Sequence, residues 1–269
     1  MPRPLITLLT DFGTEDHYVA AMKGVMRTIS PAAEFVDISH QVHPWAIAEA
    51  AFTLSQAWEY FPKGTIHLIV VDPGVGSARR AIVAEAAGHR FVAPDNGVLT
   101  LAVAGRKPSV REITNRKYFS TVLSHTFHGR DLFAPVAAHL ANRVPAAKLG
   151  AKIADWVRLE SLLPHRDPRG AWHGTILKVD RFGNLITNLP SDLIEKERLS
   201  SATGWRVQVG RRSITALAAS YSQGQPDKLF VIAGSSGYLE ISLNQASAAR
   251  LTGAQAGSPI MLKSAGGMS

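Results

Sequence analysis

The stretch Leu5-Ile6-Thr7-Leu8-Leu9-Thr10-Asp11-Phe12-Gly13 decides the fold class. Its apolar part has the length of a buried strand, and it ends in a carboxylate followed by a glycine turn. Strands of α/β sheets end in this way where they expose ligand-binding groups. Working outward, strand-like runs recur at Glu34–Ile38, Ile66–Val71, Ala81–Ala84 and Arg90–Ala93, with amphipathic stretches between them. A helix is expected over about Asp16–Thr28, with Val19, Met22, Val25 and Met26 near helical spacing and Ser30-Pro31 to stop it. A second, about Trp45–Tyr60, carries Ile47, Ala50, Ala51, Leu54, Ala57 and Trp58 on one face, and a third runs from about Leu132 to Ala141. Alternation of this kind predicts an α/β domain over residues 1–160, a central sheet flanked by helices.

The pattern changes after about residue 155. Leu163-Pro164-His165-Arg166-Asp167-Pro168-Arg169-Gly170 looks like a linker, placed at 161–170. Beyond it the runs Gly174–Val179, Trp205–Val209, Ser213–Ala216, Leu229–Ala233, Leu239–Leu243 and Ile260–Leu262 are short and separated by Gly, Ser or Pro. That spacing predicts a smaller all-β domain over 171–269, an antiparallel barrel or sandwich.

Composition narrows the function classes. Hydrophobic residues at 46% and charged residues at 19% describe a folded, soluble chain with too few consecutive apolar residues for a membrane span. There is no Cys, hence no disulfide framework, thiol nucleophile or thiolate metal site. No export signal precedes the first strand, so a cytoplasmic location is the default expectation. The formal charge of +8 would admit a nucleic-acid partner, but the basic residues are scattered in pairs such as Arg79-Arg80 and Arg211-Arg212. No nucleic-acid or membrane partner is expected.

Several motifs carry chemistry-bearing groups. Asp11 ends the first strand; a kinase Asp-Phe-Gly is ruled out because a lysine strand and a catalytic loop would have to precede it. Val70-Val71-Asp72-Pro73-Gly74-Val75-Gly76-Ser77-Ala78-Arg79-Arg80 again ends an apolar strand in an Asp and enters a loop that can approach a ligand closely. It lacks the Gly-Lys-Ser/Thr of a phosphate loop and the third glycine of a dinucleotide fingerprint. Asp95, in Ala93-Pro94-Asp95-Asn96-Gly97, suits a site or a plain turn equally. Thr126-Phe127-His128-Gly129-Arg130-Asp131 places His, Arg and Asp at a helix mouth, types suited to handling protons and charge. His125 and His128 alone do not make a metal site, so no metal is expected. In Val179-Asp180-Arg181-Phe182-Gly183-Asn184, carboxylate and amide edges could read a purine while Phe182 covers its face, or the segment could be an ordinary hairpin. Gly234-Ser235-Ser236-Gly237 and Asn244-Gln245-Ala246-Ser247-Ala248 offer hydroxyls and N–H groups for a carboxylate.

Six stretches in this order, LLTDFG at 8–13, DPGVGSARR at 72–80, APDNG at 93–97, TFHGRD at 126–131, VDRFGNLITN at 179–188 and GSSGYLEISLN at 234–244, resemble the S-adenosylmethionine hydroxide adenosyltransferase family. That family is related to the fluorinating and chlorinating adenosyl enzymes. The resemblance implies hydrolysis of S-adenosyl-L-methionine at ribose C5′, giving adenosine and L-methionine, with no cofactor beyond the substrate itself. It implies a homotrimer whose sites lie at subunit interfaces, the α/β domain of one chain facing the β domain of its neighbour. The catalytic set falls on Asp72, Arg79 and His128, the ribose-binding aspartate on Asp11, and the adenine-side residues on Asp180, Phe182 and Asn184. Trp45 and Tyr221 look like aromatic walls, and Ser235 or Ser236 like a partner for the methionine carboxylate.

Displacement at C5′ expels a neutral thioether from a sulfonium, so the leaving group needs no acid. Water, with a pKa of about 15.7, needs a base or a positive field. Either Asp72 takes its proton while Arg79 and His128 hold it in line, or the cations stabilise a bound hydroxide; the residues leave both open. The rivals are a halide-using adenosyltransferase on the same scaffold, which Asp72 would disfavour by repelling the anion, and a non-catalytic adenosine or S-adenosylmethionine-binding protein.

Overall fold

A computed structural model describes residues 3–199 and 204–263. Met1 and Pro2 of the first expected domain, and 200–203 and 264–269 of the second, lie outside the described residues. The chain divides into two compact units, Met1–Leu159 and Glu160–Ser269.

Unit 1 is built on a mixed sheet of seven strands: β1 (Leu5–Thr10), β2 (Glu34–Ser39), β3 (Ile66–Val70), β4 (Ala81–Ala86), β5 (His89–Pro94), β6 (Ser109–Glu112) and β7 (Lys152–Ile153), in the spatial order β2-β1-β3-β5-β4-β6-β7. The first four in that order run parallel, and the rest are antiparallel. Helices α1 (Tyr18–Ile29) and α2 (Ile47–Ala57) carry the chain from β1 to β2 and from β2 back across β1 to β3. Side chains alternate along the buried strands, as the two-residue period requires. Ile6, Leu8, Ile66, Leu68 and Val70 join Met22 and Met26 of α1 and the residues of α3 (Ala134–Ala141) in one core. Leu9, Ile69 and Val71 join Ala50 and Leu54 of α2 in the other. The helices thus cover both faces and leave the strand ends open.

Unit 2 is one antiparallel sheet of eight strands, β8 (His165–Arg166), β9 (Trp172–Val179), β10 (Leu185–Pro190), β11 (Arg206–Val209), β12 (Arg212–Ile214), β13 (Leu229–Ala233), β14 (Tyr238–Leu243) and β15 (Pro259–Lys263). It curls nearly into a barrel around Ile176, Leu185, Trp205, Val231 and Ile241. Two expectations change here. The unit is not purely β, because short helices α4 (Leu193–Lys196) and α5 (Ala248–Thr252) interrupt it. Ser247 caps α5 by accepting the Arg250 N–H at 3.1 Å, and Gly253 ends it in the left-handed conformation that glycine adopts without strain. Residues 161–170, expected as a linker, fold with unit 2: β8 pairs with β9, and Asp167 Oδ1 accepts the Arg169 and Ala171 N–H groups at 2.9 Å. Local hydrogen bonds thus organise a stretch whose composition alone suggests a loop. No helix among the described residues is long and apolar enough to cross a membrane.

Candidate active site

β1 and β3 are neighbours, with Thr10 opposite Val70, so Asp11 and Asp72 leave the sheet side by side. The chain departs to opposite sides of β1 here, which opens a crevice beyond the strand ends. Asp11 Oδ2 accepts the Trp45 N–H at 2.8 Å. Trp45 holds φ +66°, a left-handed conformation costly for a bulky residue, and its indole is 72% exposed. Burial pushes the Asp11 carboxyl above its ordinary value; the Trp45 N–H works against this and nearby Asp72 works with it.

The loop after β3 is closed by its own hydrogen bonds. Val75 N–H reaches the Asp72 carbonyl at 3.2 Å, and the Ser77 hydroxyl donates to the Gly74 carbonyl at 2.7 Å. Gly76, at φ +79°, lies so close to the His125 carbonyl that a Cβ there would sit 2.5 Å from it. The loop returns Arg79 onto Asp72: Nε donates to both carboxylate oxygens at 2.9 and 3.0 Å, and Nη2 donates to Oδ2 as well. The same Nη2 contacts His128 Nδ1 at 2.8 Å. The side chains of Asp72 and Arg79 are 5% and 11% exposed, and the guanidinium lies over Phe133, 5.1 Å from the ring centre.

His128 is delivered by a π-helical turn, Gly129–Phe133, that runs into α3. Burial lowers its pKa, and the Arg79 charge lowers it further, against the opposing pull of Asp72. A guanidinium has no acceptor, so Nδ1 must accept from Arg79, and the neutral ring carries its proton on Nε2. The expectation of two cations becomes one cation and one neutral donor.

Asp11, Trp45, Asp72 and His128 share a cleft of about 660 Å³. Arg79 is not on its lining and acts on it through Asp72 and His128. Phe12, Tyr18 and Phe127, which sequence reasoning did not single out, also face it. Their rings form an edge-packed cluster, Tyr18 to Phe127 at 5.0 Å and Phe12 to Tyr18 at 5.5 Å. Phe12 and Phe127 lay inside the quoted motifs but carried no charge to draw notice. Asp95 is elsewhere: it takes hydrogen bonds from Arg80 Nε and Val157 N–H, both at 2.8 Å, and holds the end of unit 1. Among the described residues no group of three or more His, Cys, Asp or Glu could hold a metal ion.

Unit 2 has a pocket of about 740 Å³ that includes Asp180, Phe182, Asn184 and Tyr221. The hairpin reading of 179–188 is present in it: β9 and β10 are joined by the Asp180–Asn184 turn. Asp180 Oδ1 accepts the Phe182 and Asn184 N–H groups at 2.8 Å, and Oδ2 accepts the Asn184 amide at 2.9 Å. Gly183, at φ +87°, leaves room for Ser247, whose Oγ would lie 2.1 Å from a Cβ there. Phe182 is pushed outward, 79% exposed. The Tyr221 hydroxyl donates to buried Glu240 at 2.7 Å; burial and that bond push Tyr221 up to about 12. Gln245, Ala246 and Arg250 complete the wall. Ser235 and Ser236 sit in the turn between β13 and β14, away from this lining, with the Ser236 hydroxyl buried and unpartnered within the protein.

Residues 6–150 match the SAM hydroxide adenosyltransferase N-terminal domain and 174–261 the C-terminal domain of the same family. The chain is 37% identical over 260 residues to the (R)-S-adenosyl-L-methionine hydrolase of Salinispora tropica, covering 95% of this chain and 96% of that one. It is 28% identical to a fluorinase of an Actinoplanes species, covering 90% and 92%. Among solved structures, an uncharacterized conserved protein from Thermotoga maritima superposes with a TM-score of 0.85 at 38% identity, covering 96% of this chain and 99% of that one. With both of its domains matched in order, the chain belongs to the SAM hydroxide adenosyltransferase family.

Proposed function

We propose that this protein hydrolyses S-adenosyl-L-methionine by attack of water or hydroxide at ribose C5′, releasing adenosine and L-methionine. The observation that carries the proposal is that Asp72 and His128, both held by Arg79 from behind, share one cleft with Asp11. An ionised carboxylate can accept both ribose hydroxyls, which gives Asp11 the task of fixing the sugar. Oδ2 already takes the Trp45 N–H, which leaves Oδ1 and the second lone pair of Oδ2 for the two hydroxyls. The reacting water belongs against Asp72 and the Nε2–H of His128. Because Arg79 already donates to both oxygens of Asp72, a hydroxide held in the field of Arg79 and the His128 donor is better supported than an unassisted Asp72 base. The substrate brings its own activation as a sulfonium, and no further cofactor is needed.

Phe182 and Tyr221 supply faces for the adenine, and the free Oδ1 of Asn184 an acceptor for its edge. Asp180 serves this pocket by building the turn. The two halves of the expected residue set are divided between the units, each with an exposed aromatic, Trp45 on one and Phe182 on the other. This supports a site shared between chains, unit 1 of one subunit meeting unit 2 of the next, in the homotrimer that the family resemblance implies. A fragment of residues 1–160 should then bind adenosine far more weakly than the whole chain; equal affinity overturns the shared site.

The test of the reaction is incubation with S-adenosyl-L-methionine in ¹⁸O-water, with and without chloride or fluoride. Label in the adenosine 5′-hydroxyl is expected. A 5′-halogenated product would make the protein a halide adenosyltransferase, and binding without turnover would make it a sensor.

A further inference from the structure

His40 is almost fully buried beside the cleft but does not line it, and none of the chemistry above uses it. It follows β2 directly, so it stands next to the end of β1. Its ring bridges two elements: Nδ1 lies 2.8 Å from the Thr10 hydroxyl, and Nε2 lies 3.1 Å from Asp37 Oδ1, close but outside good hydrogen-bond alignment. Burial raises the Asp37 pKa, but Lys23, at 2.6 Å, and His40 outweigh it and leave the carboxyl below its ordinary value. Asp37 is therefore an anion, and a ring nitrogen facing it at this distance carries a proton, since a lone pair there would be repelled. Nδ1 and the Thr10 hydroxyl, 2.8 Å apart, share a buried hydrogen bond whichever of the two supplies the proton.

The Thr10 oxygen in turn accepts the Phe12 N–H at 3.3 Å, and the His40 carbonyl accepts the Gly13 N–H at 2.8 Å. Both peptide N–H groups that follow Asp11 are thus tied to Thr10 and His40. On the other side, Asp11 holds Trp45 through its N–H. A chain of contacts runs from Lys23 through Asp37, His40 and Thr10 to the turn that aims the Asp11 carboxylate.

We propose that His40 is a positioning residue, which through Thr10 and its own carbonyl fixes the turn that presents Asp11 to the ribose of the substrate. This rests on the reading of Asp11 as the ribose ligand. A carboxylate that must accept two vicinal hydroxyls needs its direction set within tenths of an ångström, and a buried, hydrogen-bonded histidine supplies that more rigidly than solvent does.

The test compares Thr10→Val and His40→Asn with Thr10→Ser, measuring adenosine affinity by calorimetry, kcat and KM for S-adenosyl-L-methionine, and the melting temperature of the free protein. Thr10→Val removes the hydroxyl at nearly constant shape and should weaken adenosine binding and raise KM by roughly tenfold, the scale of one lost buried hydrogen bond. At saturating substrate kcat should fall less than KM rises. Thr10→Ser, which keeps the hydroxyl, should restore the affinity, a rescue that a purely packing role of Thr10 would not show. If His40→Asn fails to fold, the Thr10 pair decides the matter alone. Parent-like affinity in Thr10→Val, or no rescue by Thr10→Ser, overturns the positioning role while leaving the hydrolase reading intact. Absence of adenosine binding and turnover in the unaltered protein overturns both.

Discussion

The cleft of unit 1 and the pocket of unit 2 are of similar size, about 660 and 740 Å³, but are built differently. The first gathers two carboxylates, a guanidinium behind them, a neutral histidine and a tryptophan in a left-handed backbone conformation. The second holds an outward phenylalanine and a tyrosine whose hydroxyl is already engaged, and its carboxylate, Asp180, is committed to a turn. Ionic groups crowded together and backbone held in a costly conformation mark places where charge must be placed against local preference. Ring faces and amide edges on a satisfied hairpin, with Arg181 and Arg250 in the wall, suit recognition. The difference fits the proposed division of labour, with the chemistry on unit 1 and the grip on the base on unit 2.

The largest effect expected from this contrast is at Asp72. Asp72→Asn keeps the shape but removes the charge that holds Arg79, and kcat should fall by roughly 10²-fold or more with KM little changed. Steady-state kinetics on the purified variant check this, and a parent-like kcat would remove unit 1 from the chemistry. Next in size, Asp11→Ala should weaken adenosine binding by about 1.5–3 kcal/mol, the range for hydrogen bonds to a charged group, as read by calorimetry.

The units should also differ toward acid. Burial, with His89 adding to it, holds His67 of unit 1 down at about 3, whereas in the unfolded chain it titrates near 6.5. Between those values the unfolded state binds the extra proton, so stability rises with pH and is lost as pH falls below about 6.5. The slope from this one residue is about 1.4 kcal/mol per pH unit, continuing toward pH 3. Unit 2 has only His165 and His173, neither of them buried. Hydrogen exchange followed from pH 7 to pH 4 should therefore show unit 1 loosening first; the reverse order would contradict the assignment. The smallest effect is at the outward ring of unit 2: Phe182→Ala should cost about 1 kcal/mol of adenosine affinity with kcat nearly unchanged. A kcat loss as large as that of Asp72→Asn would erase the distinction between the two regions.

Much of this was written along the chain. Leu5–Thr10 reads as a strand from its mostly apolar run, and so do β3 and β5, because strands buried on both faces are largely apolar; the polar exceptions Thr7 and His67 satisfy each other across β1 and β3 at 2.8 Å. Helix α1 ends at Ser30-Pro31, as proline requires of the residue before it. Asp11 and Asp72 were legible as strand-end carboxylates. What the sequence could not supply was partnership. Asp95 has the same local setting as Asp72, and only the fold shows that it faces Arg80 and Val157 and not the cleft. Arg79 returns to Asp72 because of a loop closed at Gly76 against His125, and His128 arrives from a π turn 49 residues further on. That the histidine is neutral follows from the guanidinium against its Nδ1, and that the Asp11 turn hangs on His40 follows from β2 lying beside β1. Local sequence determined the strands, the helices and the kinds of groups at their ends, since those depend on period and on neighbours along the chain. Which carboxylate met a cation, and which stayed open to a ligand, only the tertiary structure decided, because hydrogen bonds and charge interactions depend on distances that the order of strands in the sheet sets.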